Sequence, residues 1–406
     1  MSSSLFADRS SDCAVKGGYP ELKSTRLAFL TNFIAPYWTP VLRSLSTSYP
    51  NMRVLISTTM EPDRSWKVNW EGLDVVLQRT MTIERHIRNR LGFRELVYVH
   101  LPIDTVSQLR RFKADVTISA QLGFRTLMAI IYRWLRPNSR LIVYADLSQH
   151  TEQARGWFRA LVRKFISKNV DSFVVLGESG ARYIRQLGVP NNKIFKVPYA
   201  TDVSRFWNDT GSRSDELARR LLYVGQLIER KGLLQFVAAL SEWVIANPTY
   251  RAELVLAGDG PLRKRLEQLA VPNSLRLTFL GNRDYNDMPD VYAQSGILVF
   301  PTFADTWGLV VNEAMTAGLP VLGSVYSQAV EELIQDGWNG WAFRTDHPDE
   351  MLRAIHRSMT VPIETLNEMR ERARSTAVRL TSENMARRIE GVVDSVLMAR
   401  GQLSSR

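Results

Sequence analysis

Short apolar runs of strand length alternate with longer segments of helical spacing along most of this chain. In the first half the runs fall at 26–31, 54–57, 116–119, 141–144 and 172–176. Helical spacing covers 39–48, 125–135 and 157–168, and in the second of these Leu127, Ile130, Ile131 and Trp134 share one side. A polar stretch with turn chemistry, Asn208-Asp209-Thr210-Gly211-Ser212-Arg213-Ser214-Asp215, interrupts the pattern. The alternation then restarts, with strands at 221–224, 253–257, 277–280, 297–300 and 320–322, and helices at 233–243, 262–269, 309–317 and 329–334. Residues 351–398 are almost wholly helical in spacing. Such alternation predicts parallel sheets covered on both faces. The fold class is therefore α/β, with two doubly wound, Rossmann-like domains whose ligands bind at the carboxyl ends of the strands, in the cleft between them. The limits read from the pattern are a flexible tail at 1–22, a first domain at 23–205, a second at 206–380 and a last helical segment at 381–406.

Composition narrows the class. The 406 residues, 45% hydrophobic and 23% charged, fit globular domains and exclude a disordered or collagen-like chain. The single cysteine, Cys13, excludes an internal disulfide and fits a reducing compartment. No run of ~18 uninterrupted apolar residues predicts a membrane-spanning helix. Met1-Ser2-Ser3-Ser4-Leu5 lacks the basic-then-apolar pattern of a secretory signal. A cytoplasmic location is the expectation.

Charge is uneven. Residues 1–200 carry 29 Lys/Arg against 15 Asp/Glu, and residues 201–406 carry 23 against 26. The net charge of +11 thus arises entirely in the first half, which attracts phosphates of nucleic acid, anionic lipid or a phosphorylated substrate. Its cationic groups are Arg85, Arg88, Arg90 and Arg94, then Arg110, Arg111 and Lys113, then Arg133, Arg136 and Arg140. A solvated basic face explains the same asymmetry. No nucleic-acid-binding motif accompanies the cations, and they are not interleaved with stacking aromatics, so nucleic acid is not the expected partner. With Ile131, Trp134 and Leu135 nearby, an anionic membrane surface suits them, as does a helix simply packed on its own sheet.

Candidate chemistry collects in four loops of the second half, each after a predicted strand. Gly225 leaves the first strand, and Arg230 and Lys231 precede Gly232 and a helix. Two cations there suit a diphosphate, and an ordinary surface pair has the same signature. Gly258-Asp259-Gly260-Pro261 is a strand-to-helix turn. Leu280-Gly281-Asn282-Arg283 offers backbone to a nucleotide base. The most specific loop starts at Pro301 and enters a helix near Trp307 or Gly308, so the amides of Thr306, Trp307 and Gly308 point at anything bound there. Asp305 lies in the loop, and Glu313 falls about one and a half turns into the helix, among Leu309, Val310, Val311, Ala314 and Met315. A carboxylate in such surroundings needs hydrogen-bonding partners. Ribose hydroxyls would supply them. The competing reading is a buried Glu satisfied by backbone, with Asp305 as an N-cap. No His/Asp cluster has metal-ligand spacing, so no metal is expected.

These motifs, in order, with Phe300-Pro301-Thr302, the acid-to-Glu spacing of 305 and 313, and Ala317-Gly318-Leu319-Pro320-Val321 behind them, resemble the retaining glycosyltransferases of family 4 (glycosyl transferases group 1), which have the GT-B fold. The resemblance covers about residues 170–345 well and the first half loosely. It implies that Arg230 and Lys231 hold the donor diphosphate and steady the departing nucleotide. It implies that Glu313 binds the donor ribose and Asp305 the sugar hydroxyls. Gly225, Gly258, Gly260 and the amides of Thr306, Trp307, Gly308 and Leu309 would complete the donor site. Residues 381–406 would cross back to the first domain.

Three places depart from the family. Asp305 stands where relatives have Glu, which changes reach but not charge. After the first strand, Asn32-Phe33-Ile34-Ala35-Pro36-Tyr37 has no glycine, where relatives often have a glycine-rich loop. Many relatives also carry a His after the strand at 141–144, where Ala145 and Asp146 stand here, with His150 four residues later. Asp146 and His150 are the acceptor-side candidates, and His150 also reads as a plain surface histidine. The expected activity is transfer of a sugar from a UDP- or GDP-sugar to the hydroxyl of a sugar or lipid-linked acceptor, with no further cofactor, in polysaccharide or glycolipid biosynthesis. The enzyme would be cytoplasmic or peripheral on the inner face of the membrane. A catalytically inactive GT-B relative, a nucleotide-sugar epimerase and, less well supported, a basic nucleic-acid-binding protein are the alternatives.

Overall fold

The computed structural model describes residues 24–62, 69–88, 94–152, 156–207 and 214–404. The proposed tail, residues 208–213 of the polar stretch and Arg90 lie outside the described residues. The strands in chain order are β1 (Leu27–Thr31), β2 (Met52–Ile56), β3 (Val75–Leu77), β4 (Thr80–Arg88), β5 (Arg94–Pro102), β6 (Val116–Ala120), β7 (Arg140–Ala145), β8 (Ser172–Val175) and β9 (Ile194–Lys196). Then come β10 (Leu221–Val224), β11 (Ala252–Ala257), β12 (Leu275–Gly281), β13 (Ile297–Phe300), β14 (Val321–Ser324) and β15 (Gly340–Phe343).

Two parallel sheets result, ordered β3-β2-β1-β6-β7-β8-β9 and β12-β11-β10-β13-β14-β15, and β4 pairs with β5 in a separate antiparallel hairpin. Each sheet has one place where the strand order reverses, between β1 and β6 and between β10 and β13. Connections leave such neighbours in opposite directions and open a crevice at their carboxyl ends.

The apolar runs were legible because both faces of the sheets are covered. In β1, Leu27 and Phe29 enter one core and Ala28 and Leu30 another. The helix Ile363–Ala377 packs on Leu309–Thr316, behind the second sheet. The next helix, Ser382–Ser404, packs instead on Thr39–Ser48 of the first domain, through Met385, Ile389, Val392 and Val396 at helical spacing. Where the chain crosses, the Thr201 amide donates to the Leu380 carbonyl at 2.8 Å.

The helices Thr39–Ser48 and Trp157–Lys168 and the strands β10 and β13 have the limits expected from spacing, and the other expected elements shift by a few residues. Periodicity missed β3, β9, β15 and the hairpin. The hairpin strands carry charges among their apolar residues and leave Met81, Ile83 and Leu96 exposed, so they lack the continuous apolar run that marks a covered strand.

Candidate functional site

The loops after β10 and β13 meet at the second sheet's reversal point. Glu229–Lys231 form one 3-10 turn, which carries both cations. Lys231 Nζ lies 2.5 Å from Asp305 Oδ2, and the Arg230 guanidinium lies 3.8 Å from the same oxygen. Arg230 also donates to the Ala304 carbonyl at 2.6 Å, and the Lys231 ammonium stands 5.1 Å over the Phe300 ring. Burial would raise the Asp305 carboxyl, but Lys231, Arg230 and the Trp307 amide together hold it below its ordinary range. Cations expected to face phosphates and an acid expected to face a sugar are thus in contact with one another.

The helix Leu309–Thr316 begins two residues later than the earlier of the expected starts, after Gly308 at φ 108°. A side chain at 308 would strain this left-handed backbone and bring its Cβ within 2.7 Å of the Phe300 ring. The Trp307 amide lies beside the Asp305 carboxylate and helps keep it charged, and the buried Trp307 indole donates to Asn312 Oδ1 at 3.0 Å. Glu313 is half-buried. Its partner is a side chain rather than backbone: the Tyr292 hydroxyl donates to Oε2 at 2.7 Å. Burial pushes the Glu313 carboxyl up to about 7, against the pull of that hydrogen bond.

The glycines Gly225, Gly258 and Gly260 stand where loop backbone meets loop backbone. A Cβ at 258 would sit 2.0 Å from the Gly225 carbonyl oxygen, and one at 260 would sit 2.6 Å from that of Leu227. The Gly258 amide donates to the Gly281 carbonyl, which ties the second loop to the third. This packing accounts for the glycines without a ligand.

From the first domain, Asp146 follows β7 and reaches across to the second. The hydroxyls of Thr306 and Tyr199 lie near enough to its carboxylate to favour the charged form, while Oδ1 makes no hydrogen bond. Burial raises the Asp146 carboxyl to about 6, and the Asp305 charge adds to the rise. His150 is half-buried with its ring 4.8 Å from that of Tyr326 in the second domain, and burial lowers its pKa. Gln328 bridges the domains too, donating to the Leu147 carbonyl and accepting from the Gly180 amide, both at 2.8 Å. Sequence reasoning missed Tyr199, Tyr292 and Gln328, whose partners lie on distant segments.

Part of the basic excess in the first half is neutralised. Arg133 and Arg140 pair with Asp171, and Arg136 pairs with Asp115. Arg85, Arg110, Arg111 and Lys113 are exposed. Among the described residues no group of three or more His, Cys, Asp or Glu side chains could hold a metal ion, and no helix is long and apolar enough to cross a membrane.

Residues 218–360 match the model of the family described as "Glycosyl transferases group 1". The chain is 28% identical over 206 residues to the alpha-D-kanosaminyltransferase of Streptomyces kanamyceticus, covering 48% of this chain and 51% of that one. It is 26% identical to a phosphatidylinositol N-acetylglucosaminyltransferase subunit of Arabidopsis thaliana, covering 74% of this chain and 66% of that one. It thus spans between half and two thirds of these relatives' length. HepE of Anabaena, solved with UDP, matches with a TM-score of 0.68 at 15% identity over 91% of this chain and all of that one. Sucrose-phosphate synthase of Thermosynechococcus elongatus matches with a TM-score of 0.68 at 16% identity, over 92% and 100%. At such identities the likeness shows the fold, which is GT-B.

Proposed function

We propose that this chain, whose second domain belongs to the glycosyl transferases group 1, is a retaining glycosyltransferase of family 4. It moves a sugar from a UDP- or GDP-sugar to an acceptor hydroxyl, in polysaccharide or glycolipid biosynthesis, with no cofactor beyond the donor. One observation carries this reading: Arg230, Lys231 and Asp305 converge where the strand order of the second sheet reverses.

In this mechanism the bond from the anomeric carbon to the donor diphosphate breaks as the acceptor oxygen bonds to the same face of the sugar. Negative charge grows on the leaving diphosphate, and Arg230 and Lys231 stabilise it. Losing one such donor costs on the order of 3 kcal/mol, about a hundredfold in rate. Asp305 holds the cations before the donor arrives and then turns to the sugar hydroxyls. Glu313 accepts hydrogen bonds from the ribose. On the acceptor side, the unpaired Oδ1 and raised pKa of Asp146 suit a group that takes a proton from the acceptor hydroxyl. His150 stands four residues on, at the rim.

The test is a thermal-shift panel of UDP-, GDP- and ADP-sugars on wild type and Glu313→Ala. A ligand that binds the folded state alone raises the melting temperature by mass action. A rise with one nucleotide class that the variant loses supports the donor site and names the base. Nucleotide release that depends on acceptor then separates transfer from epimerisation.

A second surface supports a membrane-bound acceptor. On the helix Trp157–Lys168, Trp157 and Phe158 are 76% and 67% exposed, and Leu161 and Phe165 continue the same face. Trp134 meets Phe165 edge-on, and exposed Leu135 extends the patch. Lys164 and Lys168 are exposed on this side of the helix. Aromatic residues beside lysines fit an anionic bilayer surface, into which the rings sink while the ammonium groups meet lipid phosphates.

A further inference from the structure

The reversal point of the first sheet holds a cation that the transfer mechanism above does not use. Arg125, in the first turn of the helix Phe124–Leu135, is 4% exposed. Its guanidinium donates to Asn32 Oδ1 at 2.5 Å and to Ser57 Oγ at 2.7 Å, and to the Ala120 carbonyl at 3.3 Å. These acceptors stand just beyond β1 and β2 and at the end of β6, so the group lies across the carboxyl edge where β1 and β6 diverge. All three acceptors are neutral. No carboxylate among the described residues pairs with Arg125, and its Nε has no partner. A buried charge ordinarily has a counter-ion, because stripping its water without one is expensive. Burial alone lowers the Arg125 pKa to about 10.

The surrounding backbone is shaped for a ligand as well. Gly123 caps the Phe124–Leu135 helix in an extended conformation with no side-chain cap, so the positive end of a twelve-residue helix faces the same edge. Just before it, Gln121 holds a left-handed φ of 70° and is exposed. The hydrogen bond from its amide to the Tyr144 carbonyl, 2.8 Å long, holds this strained residue in place.

We propose that Arg125 and the first turn of this helix form a binding site for an oxyanion, a phosphate or carboxylate carried by the acceptor. The word acceptor rests on the transferase reading; the site itself does not. The arriving oxyanion displaces the half-buried Asn32 carboxamide from the guanidinium and supplies the missing charge.

The experiment uses the full chain with Arg230→Ala and Lys231→Ala, which remove the diphosphate cations. Inorganic phosphate, glycerol 3-phosphate and glucuronate are titrated by calorimetry; the last two separate a phosphate-bearing from a carboxylate-bearing acceptor. At least one oxyanion is expected to bind, and Arg125→Met to weaken it roughly tenfold to hundredfold. Asn32→Asp serves if Arg125→Met fails to fold. It sets a carboxylate beside the guanidinium, so it is expected to raise the melting temperature and abolish oxyanion binding. No binding by any of the three probes, or binding that survives both substitutions, overturns the proposal. Donor nucleotide shifts measured on the otherwise wild-type chain test the transferase reading separately, since Arg125 and Asn32 lie in the other domain.

Discussion

Lys231 and Asp305, 74 residues apart, form a 2.5 Å ion pair where β10 and β13 separate. In the proposed reaction this pair opens when the donor diphosphate arrives. Asp305→Asn leaves Arg230 and Lys231 without their carboxylate in a partly buried loop. Melting should then reflect a loss of about 3 kcal/mol. UDP or GDP should restore more stability to this variant than it adds to wild type, because the diphosphate replaces the missing charge. Equal nucleotide shifts in both proteins would speak against phosphate binding at this pair.

Glu313 ties stability to pH. Its folded carboxyl titrates near 7 and its ordinary value is 4.5. Between those values the folded state holds the proton that the unfolded state has lost. Stability therefore falls as pH rises across that window, by on the order of 3 kcal/mol in all. Glu313→Gln keeps an acceptor for the Tyr292 hydroxyl and removes the titration. It should melt above wild type at pH 8 and close to it at pH 4, while losing donor affinity. Parallel melting curves across this range would rule out the buried titration.

Asp146 should appear in the rate. Its carboxyl sits near pH 6, so turnover rises through that pH as the carboxylate forms. Asp146→Asn should lower the maximal rate roughly a hundredfold or more and flatten the acidic limb. A variant that only melts earlier, with its pH profile unchanged, would assign Asp146 a structural role.

Vesicle flotation tests the aromatic face. Vesicles rich in anionic lipid should retain wild type at low salt and release much of it at ~0.5 M, where screening is strong. Trp157→Ser with Phe158→Ser should abolish retention and leave the melting temperature unchanged, since both side chains are largely exposed. Retention that ignores both salt and these substitutions would sink the membrane reading.

How much of this could be read in the sequence depended on the distance over which each signal acts. Covered parallel strands announce themselves by local apolar runs, so β1, β6, β10 and β13, which frame both reversal points, were found. Arg230, Lys231, Asp305 and Glu313 stood out because two adjacent cations, and an acid within an apolar helix, are local anomalies. Their partnerships were not legible. Nothing near Tyr292 signals that its hydroxyl meets Glu313, and nothing near Lys231 signals Asp305. Arg125 carries no local signal, because what sets it apart is the lack of a counter-ion, a property of three dimensions. The neighbourhood of the Trp307 amide was hidden for a similar reason: that it lies beside the Asp305 carboxylate follows from how the loop folds ahead of the helix start at Leu309.

The paired crossing of the chain sets the mechanics of the cleft. The segment leaving the first domain and the one returning to it are fastened to each other by the Thr201–Leu380 hydrogen bond, so the domains share a two-ply strap instead of a single tether. A single tether permits swivel about its own axis; two joined plies resist it and leave bending across the strap as the soft motion. A cleft hinged in this way would open like a book on its spine and bring Asp146 back to the same register beside the Asp305 loop.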